Sequence, residues 1–599
     1  MFIKRHTVRK DGKVHAYYSL CESVRVARNR TVQRRLLNLG ELNSTQLDRW
    51  QRSVEVVEES GQSRQMRLFT DRDGGVPKPS TRLAEDEFAE VILSTLQVRR
   101  PRRFGDCWLG CRLWEELELD QFWSKVLEDH RGPYSWAKVL ELLAVNRLCA
   151  PGSELFVHER WFGSTSIDFL LDTDAGIAGL DRLYRALDKA LPHKEALMKH
   201  LQNRWTTLFQ ADCQVLLYDL TSTYFEGEAE DVPKARRGYS RDHRPDCLQV
   251  VVALVVSAEG FPLCYEIFDG NTRDETTLEE IVEKVEQKYG YKGRLWVFDR
   301  GIVSEENLEN LRNRGASYLV GTPRKHLRDF EKELLHGQWQ EIAGRPGVQV
   351  QTIQRGGEVF VLARSNDRAA KETAIRKRPL IALQRSLRRL ALLLSKGRLK
   401  SPRKAYRRLG RLEERYASVW PYLQEAEIVE QAGRLRLIWK WSKERLRNIR
   451  LRDGAYLLRS NLEPLDPDLL WRQYIQLTDV EEAFRCLKSE LSIRPIWHHT
   501  EKRVEAHIMI AFLGYCLWVL LKQKLKKIAG SLTPARTLES LRDIMMVDVW
   551  FDLRDGRRLC LPRITQPEKE QALILHHLGW NLPNQPPPRI YAKQISSSL

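Results

Sequence analysis

Two aspartates and one glutamate are the residues of this sequence best suited, by type and position, to chemistry. Asp219 closes the short apolar run Gln214 to Tyr218, and Asp299 closes another, Arg294 to Phe298. Such runs read as buried strands, and carboxylates at the carboxyl ends of neighbouring strands can converge on one point. Glu481 shares one face of a predicted helix with Arg485 and Lys488, at i, i+4 and i+7, beside a buried stripe of Val480, Phe484 and Leu487. Mg²⁺ takes hard oxygen ligands and keeps positions for water and phosphate. Two such ions about 3.5–4 Å apart stabilise the attacking and leaving oxygens of a phosphoryl transfer. Each residue alone has a plainer explanation. Asp commonly ends a strand and opens a turn, and a Glu–Arg–Lys face is ordinarily a solvated one laced by ion pairs. The combination points to metal-dependent phosphoryl transfer.

The elements that must position these residues are legible around them. Leu248 to Val256 is a β-branched strand, Ser257 to Gly260 turns it into a third, Pro262 to Phe268, and a helix follows from a capping box at Thr276 and Glu279. The strand ending at Asp299 comes next, then a helix capped by Ser304 and a strand, Ser317 to Val320. The order β-β-β-α-β-α-β predicts an α/β protein with a ribonuclease-H-like mixed sheet, in which the first and fourth strands lie side by side. The Glu481 helix follows an insertion, within a stretch predicted helical from Gln473 to Lys526. The expected organisation is a basic β-rich unit over 1–70, a linker over 71–85, and a helical domain suited to DNA binding over 86–210. The catalytic core then occupies 211–323 and 471–530, split by a basic insertion over 324–470, with a small C-terminal unit and tail over 531–599. Within the insertion, a hairpin pairs Val348 to Ile353 with Val359 to Leu362, and a basic helix carries the stripe Leu380, Leu383, Leu387, Leu390 and Leu394.

Bulk properties agree with a phosphate-rich partner. The chain has 599 residues, enough for several domains, and a net charge of +18. Basicity alone fits DNA, RNA or an anionic membrane equally. The ten cysteines include no CxxC pair and no zinc-like cluster, which predicts buried, reduced thiols. The first residues lack the apolar segment of a signal peptide. Ile508 to Leu521 is too short to span a bilayer and predicts a buried helix. No membrane role and a cytoplasmic address are therefore expected.

Asp219 in Tyr-Asp-Leu-Thr-Ser-Thr, Asp299 in Val-Phe-Asp-Arg-Gly and the spacing of Tyr474, Glu481 and Lys488 resemble the DDE transposases of bacterial insertion sequences. More narrowly they resemble the group with a Tyr-(2)-Arg-(3)-Glu-(6)-Lys signature, except that Leu477 holds the Arg place. Gly238 to Asp242 with Arg244-Pro245-Asp246, Arg494-Pro495-Ile496 and His507-Ile508 extend the similarity. The resemblance implies that Asp219, Asp299 and Glu481 are catalytic and hold two Mg²⁺ ions, with Mn²⁺ as a substitute. Water would cleave the strand at the element end and the freed 3′-hydroxyl would attack the target in line, with no covalent protein intermediate. Relatives with the signature pass through a DNA hairpin. Tyr474 and Lys488 would grip phosphates, with Arg485 supplying the charge missing at Leu477. The implied partners are the terminal inverted repeats, target DNA and a second copy of the chain in a synaptic complex, in a nucleoid-associated setting.

Arg300, beside Asp299, is either a phosphate ligand or a structural ion pair. Thr221 and Thr223 are expected to close a turn, and Trp439 and Trp441 to pack rather than stack on a base. Two rival functions stay open: a ribonuclease-H-like nuclease without strand transfer, and a catalytically inactive DNA-binding relative.

Overall fold

The computed structural model describes residues 1–51 and 89–591, apart from 11–12, 28–29, 128–131, 212, 291–292, 300, 432 and 464–465. The predicted linker and Arg300 lie outside the described residues. Three antiparallel strands open the chain: β1 (Phe2–Lys10), β2 (Lys13–Ala27) and β3 (Arg30–Gly40). Their sheet is held by residues far along the chain. The fully buried Trp50 donates its indole N–H to the Ile528 carbonyl at 3.2 Å, and Lys569 pairs with Glu22 at 3.0 Å.

The next stretch departs from the helical expectation. Val91–Arg103 is a strand, β4, most of whose residues are exposed. A strand that buries neither face carries no period-two pattern to betray it. Its partner is far away, at 545–553.

Helices then follow as expected: α1 (Gly105–Glu116), α2 (Trp136–Cys149), α3 (Leu180–Ala190) and α4 (Lys194–Phe209). All but one of the residues of α2 are buried, and they include Glu141. Burial pushes its carboxyl up to about 8 against the opposing pull of a hydrogen bond to Cys111. Between the ordinary carboxylate range and about pH 8 the folded state therefore binds the extra proton, so stability falls as pH rises through that window. Glu141→Gln is expected to raise the thermal midpoint at pH 8 and to flatten its decline between pH 5 and 8. Thermal scans across that pH range check this.

A nine-stranded mixed sheet forms the centre. Its strands are β5 (Val215–Tyr224), β6 (Gln249–Ser257), β7 (Pro262–Asp269), β8 (Leu295–Phe298) and β9 (Ser317–Gly321), joined by β10 (Gln340–Glu341), β11 (Val348–Arg355), β12 (Glu358–Ser365) and β15 (Ala455–Ser460). The order is β10-β11-β12-β15-β9-β8-β5-β6-β7, with β5, β8 and β9 parallel. β6 is buried at every residue, as a β-branched strand covered on both faces must be. Helices α5 (Leu278–Tyr289) and α6 (Glu305–Asn313) connect its strands. Ser304 caps α6 by accepting from the Asn307 N–H at 3.1 Å. The capping box expected at Thr276 does not form. Thr276 ends a single 3₁₀ turn and its hydroxyl donates to the Arg273 carbonyl at 2.9 Å, so the helix starts only at Leu278.

Between β12 and β15 the chain leaves the sheet. Helices α7 (Asn366–Ser395) and α8 (Pro402–Arg415) pack on the hairpin β13 (Leu423–Gln431) and β14 (Arg434–Trp441) around a core of their own. Leu383, Leu387, Leu390 and Leu394 are buried there, and Trp439 and Trp441 pack against it. A short helix, α9 (Lys443–Leu451), leads back.

The segment predicted as continuously helical from Gln473 to Lys526 is three helices: α10 (Pro467–Ile475), α11 (Leu477–Ser489) and α12 (Glu501–Ile528). By length and composition α12 could cross a membrane, yet 89% of its most apolar window is buried within the fold. It packs against α2 and α3. Strands β16 (Met545–Leu553), β17 (Arg558–Ile564) and β18 (Arg589–Tyr591) complete a four-stranded sheet with β4.

Candidate active site

Asp219 and Asp299 reach the same place by strand register. β5 runs parallel to β8 with Tyr218 opposite Phe298, so the next residue on each strand is one of the two aspartates. β8 ends there. β5 does not: it continues to Tyr224 because β6 pairs with it along its whole length, Asp219 opposite Leu254. Asp219 is therefore not the strand terminus that its sequence suggests. Thr221 and Thr223 are buried strand residues rather than turn residues.

Glu481 arrives on α11. Val480, Ala483, Phe484 and Leu487 are buried, and the helix packs on β5, while Glu481 stays exposed. Asp299 and Glu481 line one cleft of about 230 Å³ together with Thr322, Arg324, Arg368 and Tyr474. Half-buried Asp219 feels both: its carboxyl is pushed up to about 7, first by burial and then by the charges of Asp299 and Glu481, while the Leu220 N–H and Arg241 pull the other way. Asp299 and Glu481 in an open cleft, with the Asp219 carboxyl close enough to feel both charges, are a donor set suited to divalent cations.

Tyr474 lies in the last turn of α10, across the Gln476 junction from Glu481, so the two do not share a helix. Its phenol donates to Asp299 Oδ1 at 3.3 Å. It packs over Gly321 at the end of β9, where a Cβ would overlap the phenol oxygen. Burial, followed by the Asp299 charge, pushes the phenol well above its ordinary range, so it stays a donor.

The cations differ from expectation. Lys488, expected at a phosphate, pairs with Asp242 Oδ1 at 2.7 Å, and Arg494 pairs with the same carboxylate. Asp242 is 4% exposed and Lys488 12%. Burial is the largest influence on the Lys488 ammonium and lowers its proton affinity despite the partner. Arg485 turns to Glu482, i−3 on the same helix, at 3.4 Å, and Glu482 also takes Lys522 at 2.7 Å. Neither Lys488 nor Arg485 is among the cleft's lining. Leu477 is the first residue of α11 and is buried, with no guanidinium to contribute.

The cations that do border the carboxylates are ones the sequence reading passed over. Arg324 and Arg368 line the cleft and share Glu372, at 2.6 and 3.2 Å. Arg241 influences Asp219 directly and pairs with Asp274 at 2.5 Å, and its backbone N–H is held by Ser222 of β5 at 3.2 Å. Arg241 sat within the Gly238 to Asp246 motif. Arg324 and Arg368 had no local signal.

Among the described residues two further groups bring metal-capable atoms together, Asp106 with Cys107 and Cys149, and Glu154 with His498 and His507, all buried. Asp106 is already paired with Arg103 and Arg542. Glu154 faces His498 at 3.6 Å.

A family model of the transposase DDE domain matches residues 211–517, the span that holds all three carboxylates and the insertion between them. The chain belongs to the DDE transposases of insertion sequences. Its first strands match a second model, the N-terminal domain of the IS1634 family transposases, over residues 3–65. No curated protein matches the chain. DNA transposition is thus its activity class, with DNA as partner.

Proposed function

We propose that Asp219, Asp299 and Glu481 form a divalent-metal site that cleaves DNA at the ends of an insertion sequence and joins them to target DNA. The observation that carries this reading is the convergence of the three carboxylates: Asp299 and Glu481 line one cleft, and the register of β5 against β8 sets Asp219 beside Asp299. A divalent cation would offset the negative charge gathered there. Two Mg²⁺ ions, or Mn²⁺ in their place, would activate water and stabilise the charge on the attacking and leaving oxygens.

The protein's own groups have separable tasks. The strand register aligns Asp219 and Asp299 before any ligand binds, and the buried stripe of α11 fixes Glu481 opposite them. Tyr474 orients Asp299 through its hydrogen bond. Arg324 and Arg368 face the cleft as phosphate partners, ahead of Arg485. Lys488 is a positioning residue that anchors α11 to the Asp242 loop. Hydrolysis would release a 3′-hydroxyl and a 5′-phosphate; attack of that hydroxyl on a target phosphodiester forms the new joint and releases a target 3′-hydroxyl. Two ends must be processed together, which calls for two copies of the chain in one complex.

Tyr474→Phe is expected to slow cleavage about tenfold or more with little change in DNA binding, since a hydrogen bond to a charged group contributes about 1.5–3 kcal/mol. Single-turnover cleavage at saturating protein checks this. The full reading is tested by mixing the protein, Mg²⁺, a pre-cleaved element end and a supercoiled plasmid. Covalently joined product is the expected outcome. Cleavage of intact ends without joining would reduce the protein to a nuclease, and binding without either would make it an inactive relative.

A further inference from the structure

Between Glu372 and Glu413 the chain has no carboxylate and carries fourteen Arg and Lys side chains, against a net charge of +18 for the whole protein. The basicity is therefore concentrated in one helical hairpin, α7 and α8. Leu383, Leu387, Leu390, Leu394, Ala405 and Leu409 of that hairpin are buried in its own core. Arg403, Lys404, Arg407, Arg408 and Arg411 are all exposed on α8, and their spacing puts them in one stripe. Like charges at i, i+4 repel, and the carboxylates of α8, Glu413 and Glu414, stand only in its last turn. A polyanion would offset them.

The hairpin is tied to the carboxylate cleft. Arg368, in the first turn of α7, lines that cleft. Two turns on, Arg376 and Thr373 hold the buried Asp453 at 2.6 and 3.1 Å, which fixes the base of the helix. The whole of α7, with 30 residues, is about 45 Å long. Between hairpin and cleft lies a cavity of about 470 Å³ lined by Arg324, Lys325, Arg328, Arg445 and Arg452 and by no carboxylate. Arg324 borders both the cavity and the cleft. Positive side chains thus continue from the carboxylates, through the cavity, to the module that carries the stripe.

We propose that the α7–α8 hairpin is a clamp for duplex DNA of unrestricted sequence, holding DNA that runs on from the cleft. The inference rests on the reading of the cleft as a DNA cleavage and joining site, and it names the surface that holds DNA whose sequence the element does not fix. Cations on phosphates position a duplex without reading it.

The test uses the full-length protein with Arg403, Lys404, Arg407 and Arg408 all changed to Gln. Binding to a scrambled duplex and to an element-end duplex is read by fluorescence anisotropy across a salt series in EDTA. Each phosphate contact contributes about 0.9 to the slope of log affinity against log salt, so the slope should fall by about 3 to 4 for both duplexes. A companion variant with Arg403, Arg407 and Arg408 changed to Lys keeps the charge and should keep the wild-type slope. An unchanged slope in the Gln variant overturns the proposal. So does a loss confined to the element-end duplex, which would make the hairpin a sequence reader, or a wild-type preference for anionic vesicles over duplex DNA. Because binding is read without divalent ions, failure of the clamp leaves the carboxylate site standing, and failure of catalysis leaves the clamp standing.

Discussion

Glu481→Ala is expected to bind a duplex carrying the element's ends about as wild type does and to cleave it about 10³-fold more slowly or worse. The size follows from what the residue would do. A metal ligand in a phosphoryl-transfer site underwrites several kcal/mol of charge stabilisation, and each 1.36 kcal/mol is a factor of ten in rate. The fold should survive, because Glu481 is exposed and the residues that dock α11 are Val480, Ala483, Phe484 and Leu487. Wild type treated with EDTA should show the same loss, and Mn²⁺ should restore it. Gel-resolved cleavage with a parallel binding assay checks each part. Cutting by the variant at the wild-type rate would remove Glu481 from the site.

Asp242→Asn is expected to be the most damaging single substitution outside the carboxylates. Asp242 is 4% exposed and takes both Lys488 and Arg494. Removing its charge leaves two cations in partly desolvated positions, and breaking a buried pair from one side costs about 3–5 kcal/mol. The loss should be local, since a chain of several domains need not unfold as a unit. Hydrogen exchange should therefore speed up at 238–247 and 488–496 while α2 and α12 keep their protection. Cleavage should fall as well, because the anchor of the Glu481 helix loosens. Unchanged exchange in both segments would mean that the pair contributes nothing to holding α11.

Much of this arrangement is visible in the residues themselves, for identifiable reasons. β6 and β8 could be found because strands buried on both faces are continuous apolar runs, and α11 because its buried stripe and polar face alternate with helical period. The two aspartates are legible because each follows such a run. Where the signal is tertiary, the sequence is silent. β4 buries neither face, so its pairing with β16, more than 400 residues away, leaves no local trace. The insertion's β11 and β12 read as a hairpin, but nothing in them tells that they extend the central sheet. Lys488 looks like a phosphate ligand until the fold brings Asp242 to it from 246 residues away. Arg324 and Arg368 enter the cleft only because the insertion returns over β9.

The central claim is that Asp219, Asp299 and Glu481 together hold the divalent ions. Anomalous diffraction from crystals of the protein with cleaved end DNA, soaked in Mn²⁺, tests it most directly. The account predicts Mn²⁺ peaks ligated by oxygens of all three carboxylates, and their disappearance in Asp299→Asn crystals. Peaks that avoid the cleft and sit instead at Glu154, His498 and His507, or that persist in Asp299→Asn, would contradict it.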